Sequence, residues 1–316
     1  MHRILPKGVI VPLVTPINEY HQFDYLSLKK LGQHMQNKGS TLLLFSGIGE
    51  GPSIDMSGSL EIQRYISSII QSTKESLPIY ACIHESSAQK ALEIAEIFFS
   101  LGISAVMVSM PSYYPLKKVH ILRYYSYLAD RVSGPLFLHN IPYITHASIP
   151  LDVVHQLSCH PNILGIQDAE GENSRLTTSL SLWKSRTDFA FISDVEHLQL
   201  DALALGADAI VAATANLFPK SYQDLYVNIR LNRKDEARLL WEKMQEISAI
   251  YQKDQTLDGA LIGLKQMLSY LGLCKPSVFL PFIEACEEEK KRIYDEMRHM
   301  QLIPDTIERE TRLKTA

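Results

Sequence analysis

Short runs of apolar and β-branched residues recur along the chain, and each is followed by a stretch where apolar positions return every three or four residues. The runs are Val9–Thr15, Thr41–Phe45, Ile79–His84, Ala105–Met110, Pro135–Asn140, Ile163–Gln167, Phe189–Ser193 and Ala209–Ala213. Such alternation predicts βα units around a parallel sheet. The nearly unbroken apolar character of the runs fits strands covered on both faces. A doubly wound open sheet shows the same alternation, but the count of eight favours closure into an α/β (β/α)8 TIM barrel.

Local signals mark the helices between the strands. Ser86 and Gln89 have the spacing of a capping box ahead of Ala91-Leu92-x-Ile94-Ala95, and Gly102 reads as that helix's stop. Gly39 is expected to play the same part after Lys29–Lys38. Beyond the eighth run the pattern turns wholly helical, over Glu236–Tyr251, Leu257–Leu271 and Val278–Met300, with turns at Gly272 and Pro276. The expected organisation is a barrel over 1–230 and a C-terminal helical extension over 231–316 packed on it, ending in a charged, frayed tail.

Composition narrows the function. Of 316 residues, 46% are hydrophobic and 21% charged, enough apolar material for one large core of the barrel kind. The net charge is -4 and the basic residues are dispersed, which argues against nucleic-acid and membrane partners and for small-molecule chemistry. Met1-His2-Arg3-Ile4-Leu5-Pro6-Lys7 turns polar too early for a signal peptide, so a cytoplasmic location is expected. Cys82, Cys159, Cys274 and Cys286 form no C-x-x-C pair and read as packing thiols.

In a barrel, chemistry belongs at the C-terminal strand ends. Here these are Thr15-Pro16, Ser46-Gly47-Ile48-Gly49-Glu50-Gly51, His84-Glu85, Pro111-Ser112-Tyr113-Tyr114-Pro115, His139-Asn140-Ile141-Pro142, Gln167-Asp168-Ala169, Ser193-Asp194 and Thr214-Ala215-Asn216. Histidine and carboxylate ligand types occur among them. With no H-x-H or H-E-x-x-H spacing, however, no metal is expected, and no organic cofactor.

Several of these motifs, in this order, resemble those of the dihydrodipicolinate synthase / N-acetylneuraminate lyase family of class I aldolases. The carriers are Pro12-x-x-Thr15-Pro16, Gly49-Glu50, Tyr113-Tyr114, Asn140-x-Pro142, Asn162-Ile163-x-Gly165-Ile166, and Gly206-Ala207-Asp208-Ala209-Ile210 leading to Asn216. The resemblance spans Gly8 to about Leu302. It implies a barrel assembled as a homo-dimer or homo-tetramer, with one tyrosine of the Tyr113-Tyr114 pair serving a neighbouring subunit. It also implies a lysine at the end of strand six that forms an imine with a 2-oxo acid.

This chain departs from that pattern where the chemistry lies. Gln167 stands at the lysine position, and an amide nitrogen, its lone pair delocalised, cannot form an imine. His139 stands for the family's proton-relaying tyrosine, Ile48 for its threonine and Ile144 for an arginine of the dihydrodipicolinate synthase branch, while Ser193-Asp194-Val195 replaces Ser-Gly-Asp. A carboxylate at Asp194 is expected to repel an oxo acid, by roughly 1 to 4 kcal/mol at about 4 Å. Glu50 is implied to anchor its own loop, and Lys265 has a non-catalytic family counterpart.

The expected pocket is therefore built from His139 and the degenerate position Gln167, with Gly47, Ile48, Gly49, Tyr113, Tyr114, Asp194 and Val211 as binding residues and Asn216 beside them. One expectation is a silent binding or regulatory homologue, or the partner of an active paralogue. Another is a lyase, hydratase or isomerase acting on a small oxo acid or sugar acid by non-covalent acid/base chemistry, with His139 aided by Glu50, Asp168 or Asp194. A third is a scaffold whose task is assembly.

Overall fold

The computed structural model describes residues 5–36, 40–56, 58–74, 77–252 and 256–303. Eight parallel strands follow one another around a closed barrel: β1 (Gly8–Pro12), β2 (Thr41–Leu44), β3 (Ile79–Ile83), β4 (Ala105–Ser109), β5 (Leu136–Asn140), β6 (Ile163–Asp168), β7 (Ala190–Ser193) and β8 (Ala209–Val211). β8 pairs back onto β1 through Gly8 with Ala209 and Ile10 with Val211. Most of the sequence runs extend past their strands at the C-terminal end, where the backbone turns into the loops that build the barrel mouth.

Around the barrel lie α1 (Tyr25–Met35), α2 (Leu60–Ser72), α3 (Ala88–Ser100), α4 (Lys118–Ala129), the single turn α5 (Pro142–Thr145), α6 (Leu151–Leu157), α7 (Asn173–Trp183), α8 (Gln199–Leu205) and α9 (Pro219–Arg230). Three helices follow the last strand: α10 (Lys234–Tyr251), α11 (Leu257–Tyr270) and α12 (Glu287–His299). The cap of α3 is Ser87, whose side chain accepts from Lys90 N, so the expected Ser86/Gln89 box is displaced by one residue; Gln89 instead donates to Glu93. Gly102 does end this helix, at φ +93°, a conformation that costs glycine little. Gly39 lies outside the described residues. The helix expected over Val278–Met300 begins only at Glu287, because Pro281 has no N–H to give a helix and Phe282 N closes a turn on Phe279 O at 3.0 Å.

Two apolar layers explain why the strands read as hydrophobic on both sides. Ile10, Leu43, Tyr80, Cys82, Met107, Phe137, Leu164, Ile192 and Val211 fill the barrel interior, where the Tyr80 and Phe137 rings stack at 5.5 Å. The alternate residues, such as Val9, Leu42, Ile79, Val106, Leu136 and Phe191, face the helices, with Trp183 of α7 packed on Phe189 at 5.4 Å. Because the side-chain period of a strand is two, this inward face continues upward from apolar to polar. Above Cys82 comes His84, above Phe137 comes His139, and above Ile192 comes Asp194.

The β5–β6 pairing shifts register between Leu136 and Phe137, and Gly165 sits opposite Phe137. A Cβ at Gly165 would lie 2.3 Å from Ala190 O, so the close approach of β6 to β7 requires glycine there. Past the shift, His139 pairs with Gln167 and Asn140 with Asp168. The inward pair enters the cavity, and the outward pair enters the helix layer.

Candidate functional site

At the C-terminal strand ends a cavity of about 180 Å³ opens, lined by Gly47, Ile48, His84, His139, Gln167, Asp194, Val211 and Ala213 from the barrel. Gln252, Leu257 and Ala260 join the lining from the helices beyond it, and Tyr143, Glu196 and Gln199 from the intervening loops and helices. A neighbouring cavity of about 280 Å³ shares Gly47, His84, Ile144 and Leu257 and extends over Glu50, Ser109, Ser112 and Phe282.

Gln167 is the hub. It is 2% exposed, and its Nε2 stands 2.7 Å from Asp194 Oδ2 and 3.2 Å from His139 Nε2. An amide nitrogen can only donate, so His139 accepts on Nε2 and carries its proton on Nδ1, which faces Cys82 Sγ at 3.9 Å. The carbonyl of the same amide, Gln167 Oε1, is buried without a partner. An unmet buried acceptor at a cavity wall is a binding point for a donor on a ligand.

Burial sets the charge state of this cluster. It holds His139 well below the usual histidine range, with nearby His84 acting in the same sense, and pushes His84 down to about 4. The Cys82 thiol is raised by burial and by Asp194. Asp194 is raised to about 7 by burial, reinforced by Glu196 and Asp168 and opposed by the Gln167 amide. Glu196 is raised by burial, against the hydrogen bond from Gln252. Near neutral pH the histidines are thus neutral lone-pair bearers, and Asp194 is the group poised to gain or lose a proton.

Some expected residues have other work. Gly49 is built into the loop: its N–H donates to Ser46 Oγ at 3.2 Å, its O accepts from Thr15 Oγ1 at 2.6 Å, and a Cβ there would meet Leu13 O at 2.8 Å. Asn216 stitches β1 to β8, donating to Pro12 O and Ala213 O at 2.9 Å and accepting from Val14 N at 3.2 Å. Tyr113 and Tyr114 are 81% and 66% exposed, edge to face at 5.0 Å, and line neither cavity in this single chain.

Glu50 is fully buried and paired with Lys265, and its Oε1 accepts from Phe279 N at 2.6 Å, while Lys265 also donates to Ser277 O at 2.8 Å. Asp168 faces outward, bonded to Arg175 Nε and Asn140 Nδ2 at 2.7 Å each. Neither carboxylate is available to His139, which leaves Asp194, through Gln167, as its acidic neighbour. The neighbours of this site that the strand ends do not announce are Cys82, one step inside the barrel, and Tyr143, Glu196, Gln199, Gln252 and Leu257. Only the step-of-two rule below His84 pointed to Cys82. Nothing in the local pattern signalled the others.

The comparisons with known proteins agree over more than nine-tenths of the chain. A profile of the Dihydrodipicolinate synthetase family matches residues 5–300. A 4-hydroxy-tetrahydrodipicolinate synthase of Karelsulcia muelleri is 25% identical over 296 residues, 93% of this chain and 97% of the relative. The dihydrodipicolinate synthase structure from Bacteroides thetaiotaomicron superposes with a TM-score of 0.86 at 27% identity, covering 93% of this chain and 98% of that one. The pyruvate complex of the Acinetobacter baumannii dihydrodipicolinate synthase shares the fold, with a TM-score of 0.85 at 24% identity over 95% of this chain and 100% of that one. With its closed eight-stranded barrel and this match over residues 5–300, the chain belongs to the dihydrodipicolinate synthetase family.

Proposed function

We propose that this chain keeps the family's barrel-mouth cavity but binds its small ligand, an oxo acid or sugar acid, without forming an imine, as a silent binding or regulatory homologue. The observation that carries the reading is the Gln167 amide bridging His139 Nε2 and Asp194 Oδ2 at the end of β6. An imine requires an amine lone pair, which an amide lacks. The lining adds Ile48 and Val211, hydrocarbon that offers no proton exchange. Among the described lining residues there is no lysine.

Incubation of the chain with pyruvate and borohydride, followed by mass spectrometry, tests this. The expected result is no mass increase, and a pyruvate adduct on any lysine overturns the proposal. A thermal-shift screen against oxo acids and sugar acids then identifies the ligand. Binding at 100 times the dissociation constant adds about 2.7 kcal/mol of stability.

Asp194 favours a second reading. A carboxyl titrating near neutrality, beside an unmet amide carbonyl, is equipped for non-covalent lyase, hydratase or isomerase chemistry, with Asp194 rather than His139 as the group that moves the proton. Turnover of a screened ligand that disappears in Asp194→Asn and persists in His139→Gln would select it.

A further inference from the structure

We infer that Cys82, His84 and His139 form a binding site for one zinc-class cation, with a fourth coordination position open to the cavity. One donor atom from each of the three residues lies within 4.8 Å of the others, and Cys82 Sγ is 3.9 Å from His139 Nδ1. In a tetrahedral zinc site, with Zn–S near 2.3 Å and Zn–N near 2.0–2.1 Å, donor atoms stand roughly 3.3–3.7 Å apart, so small side-chain rotations bring the three into range. One thiol and two imidazoles are a donor set suited to zinc.

His84 is prepared for the role. Its Nδ1 stands 3.2 Å from Ser109 Oγ, and Ser109 Oγ in turn donates toward Ile83 O at 3.4 Å. That direction makes His84 Nδ1 the N–H and leaves the Nε2 lone pair free. Nε2 is buried and has no hydrogen-bond partner; the nearby Phe45 carbonyl favours a protonated ring but makes no bond of ordinary geometry to it. A histidine ligand fixed by a hydrogen bond on its other nitrogen is the usual arrangement at metal centres.

Two features of the cavity support the same site. Glu196 lines it, and among the described lining residues neither lysine nor arginine answers it. A dication beneath would offset that charge. When His139 ligates through Nδ1, its proton moves to Nε2 and needs an acceptor; a half-turn of the Gln167 carboxamide supplies the unpartnered Oε1, and Asp194, which then faces that oxygen, holds its proton and donates to it. Loading breaks the Cys82 S–H bond, forms a sulfur–metal bond and releases one proton to solvent.

The inference does not depend on whether the chain forms imines. Borohydride trapping reads lysine and metal titration reads cysteine, so either proposal can fail alone. Titrating the metal-free full-length chain with Co2+ is expected to give an intense thiolate-to-cobalt band with visible d–d bands, saturating at one equivalent and displaced by Zn2+. Cys82→Ser, checked for folding by circular dichroism, should abolish the thiolate band. Ser109→Ala should lower affinity by about 10–100-fold. Absence of the band in the unaltered chain overturns the site without recourse to any variant. So does a band that vanishes on replacing the exposed Cys159 and Cys286 by alanine, or an affinity that Ser109→Ala leaves unchanged.

Discussion

Gln167 Nε2 and Asp194 Oδ2 stand 2.7 Å apart, so the position at the end of β6 bears directly on a carboxylate from the end of the neighbouring strand β7. Restoring an amine there does not restore a nucleophile. In Gln167→Lys the ammonium would pair with Asp194, and an opposite charge at that range favours the protonated form. The expected outcome is no borohydride-trapped pyruvate adduct in Gln167→Lys, and trapping only when Asp194→Asn is added. A strong adduct in the single variant would refute the charge argument.

Asp194 also ties stability to pH. Its ordinary value is 3.8, and in the fold it is raised to about 7. Below the ordinary value both folded and unfolded chains hold the proton, and the contribution of this group is fully present. As pH rises, the unfolded chain releases its proton first, so the contribution falls and is lost once pH passes about 7. Asp194→Asn is expected to flatten this decline. At pH 8 it should be the more stable protein, on the order of 2 kcal/mol after allowing for solvent at the cavity mouth, in urea unfolding followed across pH.

The buried Glu50–Lys265 pair predicts a strong asymmetry between single and double substitutions. Lys265→Met leaves a buried carboxylate without its cation and should cost about 3–5 kcal/mol. Glu50→Gln combined with Lys265→Met should cost much less than the two single effects summed, as read by chemical denaturation. Equal, additive losses would mean that the two side chains act independently.

Tyr113 and Tyr114 are expected to act between subunits. Replacing both by alanine should change the stability of the isolated chain by no more than about 0.5 kcal/mol, as for other exposed positions. It should shift the sedimentation profile toward smaller species. An unchanged profile would remove these rings from any assembly role.

The strands were legible because the barrel interior and the helix layer both demand apolar residues, so eight unbroken runs announced themselves. The convergence of His139, Gln167, Asp194 and Val211 followed from their places at strand ends. What escaped the sequence was hydrogen-bond accounting. Asn216 looks like a ligand contact until Pro12 O, Ala213 O and Val14 N are seen to occupy its amide. Asp168 looks like an acid until Arg175 and Asn140 claim it. Gln252 and Leu257 reach the cavity from helices far along the chain, a relation that local periodicity does not encode.

The Glu50 anchor has a temporal side. The loop after β2 is held by Lys265, from α11, and by the N–H of Phe279, which are 215 and 229 residues further on. On the ribosome, most of the barrel is synthesised and able to pair its strands while that carboxylate still has no partner. This contact to the cavity wall can therefore form only after the C-terminal helices have left the exit tunnel. A chain stalled or clipped before Lys265 would carry the family's barrel with the loop after β2 held only by its local bonds to Thr15 and Ser46, and Glu50 unpaired.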